Sequence, residues 1–257
     1  MPIESSDIQR AVADGNVGIV KALLAKDPQL ALTKDADERT PLHWAVSFQN
    51  KELVEVLLDP SQCVSDELGN VKNQKKKIVI DLDDFTDETG WTPLHIAASA
   101  GDFDIFRILA LHEPRADVNE QTSTGQTCLH YAVSKNHFLI VDFLITELKA
   151  SVRTMDKKGQ LPLHRAAAIG SSRMVQTLIE EGKSPLNATD AFGMTAIHHA
   201  LAEGHADVAL QLVKYGADWR TTTTAAGSVF DVALNDQVRL FFKRGLVADG
   251  ELELESE

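Results

Sequence analysis

The sequence predicts an all-α solenoid of seven helix-turn-helix repeats joined by β-hairpin-like connecting loops. The first observation is a Thr-Pro-Leu-His motif that recurs along the chain, intact or with one or two replacements. The second is its period, because the motif histidines His43, His95, His130, His164 and His198 are 52, 35, 34 and 34 residues apart. The third is that each motif precedes a segment whose apolar residues have the i, i+1, i+3, i+4 spacing of a helix with one buried side.

Both the motif and a period of about 33 residues are typical of ankyrin repeats. In one well-preserved copy, Gly90 makes a turn, Thr92 and Pro93 begin a helix, and Gly101 ends it. Three of the four steps match this period, and the first matches once an insertion is removed. The predicted fold class is therefore an all-α ankyrin-repeat solenoid.

The predicted repeats form a single ankyrin-repeat domain over residues 1–245. Their approximate bounds are 1–34, 35–86, 87–121, 122–155, 156–189, 190–221 and 222–245. The last repeat is partial, and its Val238, Leu240, Phe241 and Phe242 are expected to close the stack. Residues 246–257 are acidic and are predicted to form a disordered tail.

Repeat two departs from the common pattern in two ways. An insertion near 60–78 is polar and contains a lysine-rich run at 72–77, which predicts a surface loop between repeats. A partner-binding or targeting role for these lysines is the alternative. Glu38 and Gln49 stand where other repeats have glycine, which predicts a locally altered hairpin.

The composition argues against several functional classes. With 38 acidic and 25 basic residues, the net charge of −13 argues against nucleic-acid binding, which requires a basic surface. No apolar run reaches the ~18 residues of a membrane span, and the N-terminus lacks the order of a signal peptide. The two cysteines, Cys63 and Cys128, do not suggest a disulfide framework. We expect a soluble protein of the cytoplasm and nucleus, without a membrane or nucleic-acid partner.

The sequence predicts no catalytic residue, no metal site and no cofactor. The five motif histidines fall one per repeat, too far apart to bind one metal, and are expected to hydrogen-bond backbone groups of the loops. Cys128 begins a helix, where a thiolate is stabilised, but this is a framework position, and a packed, inert thiol is expected. Phosphate-loop, metalloprotease and serine-hydrolase strings do not occur. An enzyme that uses the histidines is a minor alternative.

Some positions of the repeat are not specified by the repeat motif, and the residues at these positions predict a partner-binding surface. Hairpin tips and the exposed side of the first helices line the concave face of such an array, and solenoids bind partners there. Aromatic and arginine side chains on this face belong to the types enriched at interface centres. A positive cluster suits an acidic partner and comprises Lys135, Lys157, Lys158, Arg165 and Arg173. The predicted partner-binding residues are Asp37, Arg39, Trp44, Phe48, Glu88, Trp91, Ser99, Tyr131, Ser134, Lys135, Lys157, Lys158, Arg165, Ile169, Arg173 and His199.

Several longer strings resemble gankyrin-type ankyrin proteins, and the fungal members more closely. The strings are Leu42-His-Trp-Ala-Val-Ser-Phe-Gln49, Asp87-Glu-Thr-Gly-Trp-Thr-Pro-Leu-His95, Leu163-His-Arg-Ala-Ala166, Ala200-Leu-Ala-Glu-Gly-His205 and Asp231-Val-Ala-Leu-Asn235. The resemblance covers about residues 5–245, with seven repeats in both.

The resemblance implies a non-enzymatic assembly chaperone of the proteasome regulatory particle. Proteins of this type bind the C-terminal domain of one base ATPase subunit through their concave face and leave before the finished particle works. It also implies that Arg39 and Lys135 contact the partner. The alternative is a general ankyrin adaptor for a kinase or a transcription factor, because the same fold serves many partners. A monomer is expected in the free state.

Overall fold

A computed structural model describes residues 5–64, 78–223 and 227–252 as pairs of short helices joined by turns. The chain forms two compact units, Met1–Ser123 and Thr124–Glu257, where the sequence predicts one domain. Unit 1 contains α1 (Ser5–Ala13), α2 (Val17–Lys26), α3 (Pro41–Ser47), α4 (Lys51–Leu58), α5 (Pro93–Ala100) and α6 (Phe103–Ala110). Unit 2 contains α7 (Cys128–Ser134), α8 (Phe138–Thr146), α9 (Pro162–Ala168), α10 (Ser172–Glu180), α11 (Ala196–Ala202), α12 (Ala206–Lys214) and α13 (Asp236–Ala248).

The helices lie where the motif and the apolar spacing predict them. Within unit 1, α3 contacts its partner α4 and the neighbouring first helices α1 and α5. Within unit 2, α9 contacts α10, α7 and α11 in the same way. Helices of seven to ten residues are too short to be stable alone in water, so packing between neighbours stabilises each pair.

The first helix of a repeat begins with a capping box made by the motif. Before α5, the Thr92 hydroxyl oxygen accepts the N–H of His95 at 3.3 Å, and the Thr92 N–H donates to the His95 Nδ1 atom. Pro93 follows, where its missing N–H costs nothing. In repeat five, Leu161 replaces the threonine, yet its N–H still donates to the His164 Nδ1 atom at 2.9 Å. The histidine therefore retains its capping contact when the threonine is lost.

The altered hairpin predicted in repeat two is not present. Glu38 and Gln49 adopt the left-handed conformation that glycine has elsewhere, with φ of 59° and 54°. The Asp35 N–H donates to the Arg39 carbonyl at 2.9 Å, which matches the turn that begins at Asp87. The turn is kept because a non-glycine residue can occupy this conformation at a cost of roughly 1–2 kcal/mol.

The predicted insertion is described only at its two ends. Pro60–Val64 form a 3₁₀ helix that contacts α2 and α4, so this part is not an irregular loop. After the gap, Ile80 and Leu82 are fully buried, and a second 3₁₀ helix spans Leu82–Asp84. The lysine-rich run at 72–77 lies outside the described residues.

The end of the chain differs from the predicted seventh repeat. Strands β1 (Thr222–Thr223) and β2 (Gly227–Ser228) pair antiparallel, and residues 229–235 form turns in place of a first helix. The repeat therefore keeps only its second helix, α13. This helix runs through Ala248, beyond the predicted domain end at 245, because Leu246 is fully buried. Residues 253–257 of the predicted tail lie outside the described residues.

Candidate protein-binding surface

Each of four hairpin turns is organised by one aspartate, and we call these four residues the turn aspartates. They are Asp35, Asp87, Asp156 and Asp190. In each, the Oδ1 atom accepts N–H groups two and four residues later, at 2.8–3.0 Å. One carboxylate oxygen thus holds the turn, while the Oδ2 atom remains available for a side chain.

The Oδ2 atom of three turn aspartates accepts from a side chain nine residues later in the same repeat. Trp44 Nε1 donates to Asp35 at 2.7 Å, and the Arg165 guanidinium donates to Asp156 at 2.8 Å. His199 Nε2 lies 2.9 Å from Asp190. These side chains directly follow the motif histidine, at a position predicted to bind a partner. They are half-buried and bonded within their own repeats.

The fourth turn aspartate is bonded by the preceding repeat. Arg39 Nε donates to Asp87 Oδ2 at 3.1 Å, and the Asp87 side chain is only 2% exposed. Gln160 occupies the position equivalent to Arg39 and reaches Asp190 at 3.4 Å. Arg39, which the resemblance assigns to partner contact, therefore also joins two repeats of unit 1.

The hydrogen bonds keep the turn aspartates ionised despite their burial. Burial raises the pKa of the Asp156 carboxyl, but the Arg165 side chain and two backbone N–H groups outweigh it. Burial likewise raises the pKa of Asp190, and the bonds from the Met194 N–H and His199 more than offset it. Both pKa values lie below the ordinary range, so the carboxylates are charged at neutral pH.

Two of the motif histidines link successive repeats, in keeping with the structural role predicted for them. His43 Nε2 bonds the Trp91 carbonyl oxygen at 3.1 Å in unit 1. His130 Nε2 bonds the Gln160 carbonyl oxygen at 3.0 Å in unit 2. Because each Nδ1 atom accepts a backbone N–H, the bonding pattern places the ring proton on Nε2. Burial lowers the pKa of both rings, which keeps them neutral.

Neighbouring hairpins are tied together at their tips. In unit 1, the Glu88 N–H donates to the Asp37 carbonyl at 3.2 Å. In unit 2, the Ala191 N–H donates to the Lys158 carbonyl at 2.9 Å. At Gly159, with φ of 72°, an added Cβ atom would lie 2.8 Å from the Ala191 nitrogen. Side chains at the tips therefore project from a backbone of fixed spacing.

The predicted surface of unit 1 contains one aromatic pair with an arginine beside it. Trp44 and Phe48 are stacked with ring centroids 6.0 Å apart, and Phe48 is 52% exposed. The Arg39 guanidinium lies 5.4 Å from the Trp44 ring centroid. The remaining predicted residues of this unit divide by exposure: Asp37 and Glu88 are exposed, and Trp91 and Ser99 are half-buried. Phe48 is the most accessible apolar anchor among them.

The predicted surface of unit 2 presents exposed lysines. Lys135 follows α7, and Lys157 and Lys158 lie on the hairpin before α9; within the described part of the chain, none forms an ion pair. The half-buried members of the prediction are Tyr131, Ser134, Arg165, Ile169 and His199. Arg173 differs, because it lies on a second helix and packs over the Phe138 ring at 3.4 Å.

Sequence reasoning missed two kinds of residue. It used the turn aspartates only to mark repeat starts, although the recurring nine-residue separation from Trp44, Arg165 and His199 was a readable signal. It also assigned Val238, Leu240, Phe241 and Phe242 to closing the stack. Phe242 is fully buried, as predicted, and shares the buried side of α13 with Leu246, whereas Leu240 and Phe241 are more than half exposed, at 52% and 56%.

The described ranges contain no group of three or more His, Cys, Asp or Glu side chains that could hold a metal ion. Cys128 is 1% exposed at the start of α7, in the packed state predicted for it. Among the helices of these ranges, none is long and apolar enough to span a membrane.

Two family models match most of the chain. One, described as "Ankyrin repeats (3 copies)", matches residues 70–156 and 140–223, and another, "Ankyrin repeats (many copies)", matches residues 8–58. The chain belongs to the ankyrin-repeat family. The predicted all-α ankyrin-repeat fold class is thereby confirmed. The ankyrin repeat domain of Bcl-3, a member of the IkappaB family, is similar with a TM-score of 0.70 and 25% identity. That similarity covers 92% of this chain and 97% of the Bcl-3 chain.

This ankyrin-repeat protein also resembles subunits of the proteasome. It is 44% identical over 126 residues to the probable 26S proteasome regulatory subunit p28 of Saccharomyces cerevisiae, which covers 49% of this chain and 48% of that protein. It is 31% identical over 106 residues to the 26S proteasome non-ATPase regulatory subunit 10 of Dictyostelium discoideum, covering 41% of this chain and 38% of that protein. The alignments therefore span about half the length of these relatives or less. The predicted resemblance to gankyrin-type proteins is confirmed at this level of similarity.

Proposed function

We propose that this ankyrin-repeat protein is a non-enzymatic assembly chaperone of the proteasome regulatory particle. It binds the C-terminal domain of one base ATPase subunit. The observation that carries the proposal is the 44% identity to a protein whose name places it among proteasome regulatory subunits. The proposal includes a monomeric free state and a location in the cytoplasm and nucleus.

Binding uses the hairpin tips and the exposed side of the first helices. Lys135, Lys157 and Lys158 are exposed cations on a chain with a net charge of −13, so they attract an acidic partner surface locally. Phe48 supplies an accessible apolar side chain supported by Trp44. Exposed aromatic side chains are typical anchors of protein interfaces, and charged side chains are typical of their solvent-accessible parts.

The proposed mechanism is steric and requires no catalytic group. A chaperone bound to the ATPase domain covers part of it and blocks premature contact with the core particle. No covalent bond forms or breaks, and no cofactor is needed. Core-particle docking that proceeds unchanged while the chaperone is bound to the ATPase domain would contradict this mechanism.

The test is a calorimetric titration with the isolated C-terminal domain of the ATPase subunit that gankyrin-type proteins bind. We compare wild type with a Lys135→Glu, Lys158→Glu variant. Arg39 is left intact, because a carboxylate beside the buried Asp87 would disturb the fold. The matched control is Lys26→Glu, Arg107→Glu, which makes the same charge change on the second helices α2 and α6.

We expect wild type and the control to bind, and the lysine variant to bind at least about tenfold more weakly. If the two variants bound with equal affinity, Lys135 and Lys158 would lie outside the interface, and the chaperone role would still stand. Absence of binding by wild type would overturn the chaperone role. The remaining interpretation would then be an ankyrin adaptor for another partner, such as a kinase or a transcription factor.

A further inference from the structure

The exposed side of α13 carries large apolar side chains where a terminal helix of a repeat array normally presents polar ones. Leu240 and Phe241 are 52% and 56% exposed, and Leu234 in the preceding turn is 60% exposed. Single exposed apolar residues are common on proteins, whereas contiguous exposed apolar surface often marks an interaction site.

The opposite side of the helix is firmly packed. Phe242 and Leu246 are fully buried, and α13 contacts α12. A Cβ atom added at Gly245 would lie 2.3 Å from the Leu210 side chain, so the two helices approach closely at this point. The exposed apolar side chains are therefore displayed from a helix that cannot turn to bury them.

Two surface depressions flank these side chains. One is lined by Leu240, Lys243, Arg244, Val247 and Ala248. The other lies at the start of α12 and is lined by Gly204, Ala206, Asp207, Gln237, Val238 and Phe241. Leu240 lines the first depression and Phe241 lines the second, so each of these exposed side chains lies beside a concave surface that a ligand side chain can enter.

The charges beside the first depression are positive. Lys243 and Arg244 are exposed, and within the described residues neither forms an ion pair or a side-chain hydrogen bond. Arg239, by contrast, is engaged by Asp236 and by the Phe230 carbonyl, both at 3.0 Å. On a chain with a net charge of −13, this pair forms a local basic border to an apolar surface.

We propose that the exposed side of α13 docks an acidic segment of another protein in which leucine or phenylalanine side chains alternate with carboxylates. Its apolar side chains contact Leu240 and Phe241, and its carboxylates pair with Lys243 and Arg244. This site is separate from the hairpin tips and first helices of the proposed chaperone surface.

Charge favours this occupant over two others. A second copy docking by the same side would bring the Lys243 and Arg244 pairs together, and like charges across an interface are unfavourable. A membrane-binding helix carries clusters of about four to eight basic residues, and this surface offers two unpaired ones.

The test measures fluorescence anisotropy of labelled synthetic peptides with the full chain. The probe is a peptide of about twelve residues with a repeating Glu-Leu-Glu-Phe sequence. Its comparison peptides carry Gln for every Glu, or Ser for every Leu and Phe. The proposal predicts that the probe binds at least about tenfold more tightly than both. Absence of probe binding, or equal binding of the glutamine peptide, would overturn it.

The variant for this site is Leu240→Glu, Arg244→Glu, and it should lose probe binding while its circular dichroism and melting curve stay unchanged. The matched control is Leu139→Glu, Arg107→Glu, whose leucine is 64% exposed on α8. Equal loss in both variants would overturn the assignment to α13. The proposal would also be overturned if wild type formed a dimer in sedimentation velocity, or bound phosphatidylserine vesicles, and the α13 variant did not. The Lys135→Glu, Lys158→Glu variant should bind the probe normally, which separates this proposal from the chaperone role.

Discussion

The guanidinium of Arg165 donates a 2.8 Å hydrogen bond to the carboxylate of Asp156, nine residues earlier in the same repeat. The Asp156 side chain is 2% exposed, and that of Arg165 is 25% exposed. The remaining Asp156 oxygen accepts two backbone N–H groups of the hairpin. A residue that the sequence assigns to partner binding therefore also stabilises the turn that carries Lys157 and Lys158.

We predict that Arg165→Ala lowers the free energy of unfolding by about 2 kcal/mol, because it leaves a buried carboxylate without its cationic partner. Urea unfolding monitored by circular dichroism measures the change. Lys158→Ala, on the same hairpin but exposed, is the control and should leave the midpoint unchanged. A double-mutant cycle with Asp156→Asn should show coupling between the two residues; independent effects would contradict the assigned contact.

Gly159→Ala should destabilise the protein at least twice as much as Gly216→Ala. Both glycines have positive φ, 72° and 93°, so both replacements carry the strain of an alanine in that conformation, roughly 1–2 kcal/mol. At Gly159 the new methyl group also meets the Ala191 nitrogen at 2.8 Å, whereas nothing lies within 4 Å at Gly216. Equal shifts in the thermal midpoint would show that adjacent hairpins are not held at this spacing.

Stability should fall as the pH is lowered from 6.5 towards 4. Burial, followed by the charge of the neighbouring His199, lowers the pKa of His164 from 6.5 to about 4. Between these values the unfolded chain binds the proton and the folded chain does not, so stability present above pH 6.5 is lost as the pH falls. For His164 alone, this is on the order of 3 kcal/mol.

The measurement is urea unfolding at a series of pH values between 8 and 4.5, for wild type and His164→Gln. The variant lacks the titrating ring, so its stability should depend less steeply on pH. The turn aspartates contribute little in this window, because their pKa values lie below the ordinary carboxyl value of 3.8. Stability that is constant or rises as the pH falls would contradict a buried neutral ring at His164.

Phe48→Ala should weaken binding to the ATPase domain and leave stability nearly unchanged. Phe48 is 52% exposed and ends α3, so its removal opens no internal cavity. Leu139→Ala, on a second helix and 64% exposed, is the control for a general loss of surface apolar area. Affinity measured by calorimetry should fall only for the Phe48 variant. A comparable fall for Leu139→Ala would place the interface elsewhere.

Association with the ATPase domain should slow as salt is added. Exposed lysines such as Lys135 and Lys157 act through long-range attraction, which ions screen over about 10 Å at 0.1 M. Stopped-flow association rates between 50 and 500 mM sodium chloride test this. The Lys135→Glu, Lys158→Glu variant should show a smaller salt effect, and a rate independent of salt in wild type would exclude steering by these charges.

The positions of the helices were predictable from the sequence because the period and the capping motif are local signals. His164 illustrates this, since its capping contact persists even where Leu161 replaces the motif threonine. The turn at Glu38 was not predictable from residue type, because the preference for glycine is weak enough to be overridden. Residue spacing defines a face of a helix but does not say which face a neighbour covers, and so Leu240 was assigned to the wrong side.

The sequence indicates which positions of the candidate surface are exposed. It is less informative about which side chains at these positions are already bonded within their own repeat. Repeat register correctly identifies Lys157 and Lys158 as exposed. Exposure alone does not reveal that Arg165 and His199 are bonded to Asp156 and Asp190; the recurring nine-residue separation was the signal for that contact.

The pairing of a turn aspartate with a side chain nine residues later has a consequence for how such arrays evolve. The contact lies within one repeat, so duplication or exchange of that repeat transfers the hairpin and its bonding partner together. The bond from a motif histidine to the following repeat's carbonyl, as between His130 and Gln160, must instead be formed anew at each junction. Every residue type has a backbone carbonyl, so a newly inserted repeat can accept the hydrogen bond from the preceding histidine without a matching substitution in its neighbour.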